Sequence, residues 1–89
     1  MLQLPKPARS LEQAQIGEKL IVAQVSPSPA FPEWDRWLEE IGFVPGERVE
    51  LKARGFPGGD PLVVRVGLST FALRRAEAAC VEVLEEAGT

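Results

Sequence analysis

The sequence contains no histidine and no tyrosine, and it has a single cysteine among its 89 residues. The absence of histidine removes the commonest general base and the commonest nitrogen ligand for metals, so Ser-His, Cys-His and His-metal sites are excluded. Cys80, being alone, forms no internal disulfide and no multi-thiolate metal site, which is typical of a protein from a reducing compartment. Its small apolar neighbours predict a buried, unreactive thiol.

The sequence also lacks an excess of positive charge and a long hydrophobic run. Ten lysine and arginine residues stand against 13 aspartate and glutamate residues, which gives a formal net charge of −3. This balance argues against a nucleic-acid partner, because sequence-independent binding to phosphates needs a broad cationic surface. No apolar run approaches the roughly 20 residues that cross a bilayer, and no signal peptide is evident. We expect a cytoplasmic protein without direct membrane insertion.

The length of the chain predicts one domain with a thin core, since a domain this small buries only about 60–65% of the surface that its unfolded form exposes. Residues 1–10 contain two prolines and no periodic pattern, and they are expected to form a flexible lead-in. The single domain is expected over residues 11–84. Residues 85–89 are expected to form an acidic tail.

The pattern of the central segment predicts a helix, a turn and a strand in close succession. Four large apolar side chains recur at the spacing i, i+3, i+4 and i+7: Trp34, Trp37, Leu38 and Ile41. This spacing predicts a short helix over about residues 32–41 with one buried face. Gly42 supplies the left-handed residue that ends a helix, and Pro45-Gly46 has the composition of a type II turn.

Five segments have the alternation or the β-branched composition of strands: residues 19–25, 48–54, 62–66, 70–73 and 81–83. In the second of them, Val49, Leu51 and Ala53 alternate with charged residues that include Arg54, which predicts one buried and one solvated face. Turn clusters join the second, third and fourth strands into an antiparallel meander, and a short helical turn precedes the last strand.

Short strands with little chain between them close most economically into a barrel, because closure removes unpaired edges. The predicted fold is therefore mainly β: a small five-stranded SH3-like barrel, with the helix over about residues 32–41 inserted after the first strand. An open α+β sandwich is the alternative.

Candidate sites for chemistry are few. Gly55, Gly58 and Gly59 precede a strand rather than a helix, so they indicate a hairpin and not a phosphate-binding loop. Asp35 and Glu39, four residues apart on the predicted helix, are surface candidates for a shared divalent cation. The alternative is a solvated helix face, because one or two carboxylates hold a metal only with help from other groups. We assign no catalytic residue, no cofactor and no intrinsic metal site.

The large aromatic side chains concentrate in one part of the sequence: Trp34, Trp37, Phe43 and Phe56. Core packing explains them if the helix faces a small barrel, because large rings supply buried area. A partly exposed apolar rim flanked by Arg54 would instead suit a protein partner. Both interpretations stay open, and the candidates for partner binding are these four aromatic residues together with Arg54.

Four motifs occur in one register along the chain. They are L-E-Q-A-Q-I-G-E-K-L over residues 11–20, L-E-E-I-G-F-V-P-G-E-R-V over 38–49, G-D-P-L over 59–62 and F-A-L-R-R-A-E-A over 71–78. Together they resemble the FeoA family of small ferrous-iron transport accessory proteins, over about residues 11–83. The sequence departs from the family pattern in the proline-rich segment Ser26–Pro32 and in the pair Trp34 and Trp37.

The resemblance implies an SH3-like barrel that acts as a cytoplasmic accessory protein of ferrous iron transport. It implies contact with the cytosolic GTP-binding part of the FeoB permease, and modulation of that permease's activity or assembly. It carries over no catalytic residue, and the positions that match motif residues have architectural roles: Gly42, Pro45, Gly46, Asp60 and Pro61. The alternatives are a metal-responsive sensor that uses Asp35 and Glu39, or a general protein-interaction module; a small enzyme is the third hypothesis.

Overall fold

The computed structural model describes residues 9–86, and most of its regular elements are strands. The strands are β1 (Arg9–Ser10), β2 (Lys19–Val25), β3 (Arg48–Arg54), β4 (Leu62–Val66), β5 (Ser69–Leu73) and β6 (Val81–Glu85). The helices are a 3₁₀ helix (Leu11–Gln13), α1 (Trp34–Glu40) and α2 (Arg75–Ala78). The strands form one antiparallel sheet in the order β1-β6-β2-β3-β4-β5. All five predicted strands are present.

One face of this sheet carries most of the core. The fully buried larger side chains are Leu11, Leu20, Val22, Leu38, Phe43, Leu51, Leu62, Val64, Leu73, Val81 and Val83. Only short helices are available to cover this face, so we expect the sheet to curve over its own core rather than to form an open sandwich. Irregularities in the ladders of β2 and β3 increase the local bending. No helix within residues 9–86 has the length and apolar character needed to cross a bilayer.

The central segment folds much as its pattern predicts. Helix α1 lies within the predicted range, Leu38 is fully buried, and Ile41 packs against the core. Gly42 has a φ of +124°, which ends the helix. Gly46 has a φ of +89°, and the Glu47 N–H donates to the Val44 carbonyl oxygen at 3.1 Å, as in a type II turn. The turn leads directly into β3.

A register shift in β3 changes which face its last residues occupy. Leu51 pairs with Val64, but beyond the shift Arg54 pairs with Leu62, which is fully buried. Because side chains alternate along a strand, one extra residue reverses the facing of every residue after it. The predicted alternation is therefore confirmed for Val49 and Leu51, and it is wrong for Ala53 and Arg54.

The N-terminal end of the described chain is held in the sheet. Arg9 and Ser10, which the sequence pattern assigns to a flexible lead-in, form β1 and pair with Val83 and Glu82 of β6. The Arg9 guanidinium also binds the Glu18 carboxylate, with Nη2 to Oε2 at 2.5 Å. The strand partners Val83 and Glu82 are distant in sequence, so local composition does not reveal the pairing. The rest of the predicted lead-in, residues 1–8, and residues 87–89 of the predicted tail lie outside the described residues.

Candidate protein-interaction surface

A groove that is open to solvent runs beside α1, and both tryptophans of the chain line it. Its lining residues are Glu33, Trp34, Arg36, Trp37, Glu40 and Glu77. All but Glu77 come from α1 and the turn before it, whereas Glu77 belongs to α2. The Ser26 N–H donates to the Cys80 carbonyl oxygen at 2.7 Å, which ties the segment before α1 to the end of α2. We call this surface the Trp groove.

The aromatic side chains of the Trp groove are partly exposed, and that of Trp34 is stacked on a neighbouring ring. The Trp34 ring stacks on Phe31, with centroids 4.1 Å apart and planes 7° apart. Trp37 is 38% exposed, while Leu38 beside it is fully buried and anchors the helix. Core packing alone therefore does not account for the two tryptophans. The helix presents aromatic surface to solvent from a fixed position.

The Trp groove carries a surplus of negative charge. Three carboxylates line it, those of Glu33, Glu40 and Glu77, against one guanidinium. That guanidinium, of Arg36, already lies 3.6 Å from the Glu40 carboxylate. The same negative field reaches Cys80 nearby: burial raises the pKa of its thiol, and the charges of Asp35 and Glu77 raise that pKa further.

Phe43, a candidate for partner binding, is not on the surface. It is fully buried, and its ring centroid lies 6.4 Å from that of Phe71. The residue follows Gly42, whose backbone turns the chain inward after α1. We therefore remove Phe43 from the interaction surface and assign it to the core.

Arg54, another candidate, is engaged within the domain. Its Nη2 atom donates to the carbonyl oxygens of Glu12 at 2.6 Å and Ala14 at 2.9 Å. The register shift in β3 makes this possible, because it places Arg54 on the side of the sheet that faces the 3₁₀ helix. Arg54 therefore satisfies backbone acceptors of that helix, a structural role that its sequence context does not indicate.

Of the remaining candidates, Phe56 lies away from α1, whereas Asp35 and Glu39 both belong to that helix. Phe56 is 98% exposed in the loop between β3 and β4, outside the lining of the Trp groove. Asp35 accepts a hydrogen bond from the Arg36 backbone N–H at 2.8 Å, and Glu39 is exposed on α1. Within residues 9–86, no group of three or more histidine, cysteine, aspartate or glutamate residues is arranged to hold a metal ion.

Sequence reasoning did not identify the acidic residues of the Trp groove as a group. Glu33, Trp37 and Glu40 are spaced i, i+4 and i+7, so helical periodicity was a usable signal for their common face. Glu77 had no such signal, because only the tertiary fold brings α2 beside α1. No pattern indicates a role for Phe31 either, because it lies in the proline-rich segment Ser26–Pro32.

Cys80 provides a test of the negative field beside the Trp groove. We expect iodoacetamide to alkylate Cys80 with a midpoint at higher pH than an ordinary cysteine, because its raised pKa reduces the thiolate fraction at any given pH. Glu77→Gln should move the midpoint to lower pH, since glutamine keeps an acceptor for the Arg74 N–H but removes the charge. Glu50→Gln, on β3, is the control. An identical midpoint in E77Q and E50Q would contradict this account.

The chain is similar in sequence and in structure to known proteins of one family. The FeoA domain family matches residues 9–85. The crystal structure of Stenotrophomonas maltophilia FeoA complexed with zinc, described as an SH3 domain protein, is 41% identical with a TM-score of 0.77, covering 85% of this chain and 89% of that one. FeoA from Chlorobium tepidum is 30% identical with a TM-score of 0.73, covering 90% and 72%. No curated protein sequence matches significantly.

A domain of a larger regulator is also similar in structure. A manganese-dependent transcriptional repressor is 29% identical with a TM-score of 0.75, and the match covers 94% of this chain but 45% of the repressor chain. The shared fold is thus found both in small proteins and as part of a longer one. The mainly β, SH3-like fold predicted from the strand pattern is confirmed.

Proposed function

The chain belongs to the FeoA family, and from this membership we propose that it binds the cytosolic GTP-binding part of a FeoB-type permease and modulates the permease's activity or assembly. The family is associated with ferrous iron transport, and its members are small SH3-like proteins that are not known as enzymes. The observation that carries the proposal is the continuous family match over residues 9–85, nearly the whole described domain. The S. maltophilia relative has itself been suggested to act as a ferrous iron transport activating factor.

The chemistry of the described residues supports action by contact. No charged or polar side chain within residues 9–86 is fully buried, so the charged groups there keep contact with water. Three charged residues of a second depression, beside β2 and β3, already have partners: Arg48 lies 3.2 Å from Glu86, and Glu50 lies 3.3 Å from Lys52 at its edge. An active site instead needs convergent ionisable groups available to a substrate.

Exposed apolar side chains supply surface for a protein partner. Phe56 is 98% exposed between β3 and β4, and Leu68 is 93% exposed in the turn between β4 and β5. Trp37 adds a partly exposed ring on α1. Exposed aromatic and apolar groups are typical anchors of protein interfaces, because their burial on binding releases water from apolar surface.

Binding to the permease is testable with purified components. We expect the protein to bind the cytosolic domain of its cognate FeoB in at least one nucleotide state, and to change the rate of GTP hydrolysis by that domain. Calorimetry without nucleotide, with GDP and with a non-hydrolysable GTP analogue measures the first effect. Co-purification from membranes with and without FeoB provides the control. Absence of binding in every state, together with normal ferrous iron uptake in a deletion strain, would contradict the proposal.

We further propose that the protein works in the cytoplasm without a resident metal or cofactor. Asp35 and Glu39 offer too few ligands for a tight site, since Fe²⁺ and Zn²⁺ bind strongly only with several protein donors. Calorimetric titration with each metal is expected to show no affinity tighter than about millimolar, by analogy with weak oxygen-ligand sites. Tighter binding to the wild type that is lost in Asp35→Asn and kept in Glu86→Gln would instead favour a metal-responsive sensor.

A further inference from the structure

We propose that the Trp groove holds a short basic segment of the protein partner, with an arginine or lysine side chain lying on the tryptophan rings and its charge facing Glu33, Glu40 and Glu77. This inference rests on the proposed function, because it names the surface and the chemistry by which the partner is held. The permease domain is therefore expected to present that basic segment to α1.

The aromatic lining of the Trp groove suits a cation. Tryptophan is the best aromatic partner for a guanidinium or ammonium group, because its ring face is electron-rich. Trp37 leaves 38% of its surface in solvent, and Trp34 is fixed by its stack on Phe31. Rings that are already in position lose little conformational entropy when a side chain docks on them. A long basic side chain also offers an apolar stem to the rings.

The charges of the Trp groove select against other occupants. Its three carboxylates and one guanidinium give a net charge of −2, from −3 and +1. An acidic segment would be repelled by this rim, and a purely apolar segment would remove the carboxylates from water without pairing them. A basic segment pairs with Glu33 and Glu77 and shares the exposed Glu40 carboxylate with Arg36, which lies 3.6 Å from it.

The size of the surface limits the length of the segment. Helix α1 has seven residues, which correspond to about 10 Å at 1.5 Å per residue. Such a surface contacts a few residues of a partner rather than a whole domain. The basic segment is accordingly one part of the interface, and it sets charge specificity, while exposed groups such as Phe56 contribute separately.

The tryptophans report directly on this surface. They are the only two in the chain, both line the groove, and tyrosine is absent, so intrinsic fluorescence follows groove occupancy. We expect a short peptide of alternating arginine and leucine to change the emission saturably, and less so at high salt. Peptides with glutamate or glutamine in place of arginine are the probes for other chemistries. Equal affinity for the glutamine peptide, or self-association through the groove in sedimentation equilibrium, would overturn the inference.

Charge variants locate the interaction. Glu33→Gln with Glu40→Gln should weaken binding of the arginine peptide by about fivefold or more, since each exposed ion pair contributes a modest amount. The matched control is Glu39→Gln with Glu50→Gln, which removes the same formal charge outside the groove and should leave the affinity unchanged. Equal losses in the two double variants would show a non-local charge effect and overturn the inference.

The same variants separate this inference from the proposed function. If the FeoB cytosolic domain binds, but the arginine peptide does not compete and the E33Q/E40Q variant binds normally, the proposed function stands and the groove assignment is wrong. If the arginine peptide binds selectively and the FeoB domain does not bind, the groove assignment is supported and the proposed partner is wrong. Loss of FeoB binding in E33Q/E40Q, with the control unaffected, supports both.

Discussion

Replacing Phe43 with alanine is expected to lower the free energy of unfolding by about 3–5 kcal/mol, the usual cost of removing a buried aromatic ring. Phe43 is fully buried and packs near Phe71 beneath the end of α1. Deleting its ring removes apolar burial and leaves a cavity that the surrounding sheet fills only in part. The loss is a large fraction of the total stability of a domain this small.

The matched control for this prediction is the same substitution at Phe56, which is 98% exposed. Phe56→Ala should change the free energy of unfolding by less than about 0.5 kcal/mol, as for most surface substitutions. Urea denaturation followed by circular dichroism measures both variants. If F43A were as stable as F56A and yet bound the partner more weakly, Phe43 would belong to the interface and our assignment to the core would be wrong.

Replacing Arg54 with methionine is expected to lower the free energy of unfolding by about 2–3 kcal/mol, because hydrogen bonds to charged groups contribute more than neutral ones. Methionine keeps the apolar stem, so the change isolates the two bonds from the guanidinium to the carbonyl oxygens of Glu12 and Ala14. Without them, partly buried acceptors near the 3₁₀ helix lose their charged donor. The 3₁₀ helix should then exchange its amide hydrogens faster.

Arg36→Met serves as the control for Arg54→Met, since the Arg36 side chain is 86% exposed and makes one surface ion pair. Arg54→Lys should restore part of the stability, because lysine keeps the charge but lacks the planar fork of donors. Denaturant unfolding and hydrogen exchange at residues 11–14 measure the effects. A fully stable R54M that fails to bind the FeoB domain would return Arg54 to the interaction surface.

Much of the fold follows from local sequence. The β2, β3 and β4 bounds coincide with runs of alternating or β-branched residues, since a strand's side-chain period is visible within a few positions. Gly42 and Pro45-Gly46 correctly predict where α1 stops and where the turn lies, because these residues restrict or permit specific backbone angles. The motif register likewise predicts the FeoA family correctly.

Local sequence predicts less of the candidate site than of the fold. Helical periodicity groups Trp34 and Trp37 and places Trp37 on the same stripe as buried Leu38, but it does not show that the core ends between Trp37 and Leu38. For Phe43 the sequence leaves both a core position and a surface position open, and the structure places it in the core after the turn at Gly42. Glu77 belongs to α2, and only the tertiary structure brings α2 beside α1.

The sequence by itself determined the five strands β2 to β6, the helix α1, their order and the family, because these depend on side-chain periods, turn residues and motifs that extend over short distances. Only the tertiary structure decided the facing of Arg54, the pairing of β1 with β6 and the acidic rim of the Trp groove. The physical reason is that strand register decides which face of the sheet a side chain occupies. Its exposure then depends on which other elements cover that face. A single-residue shift in one ladder reverses a strand's faces, and no local pattern records it.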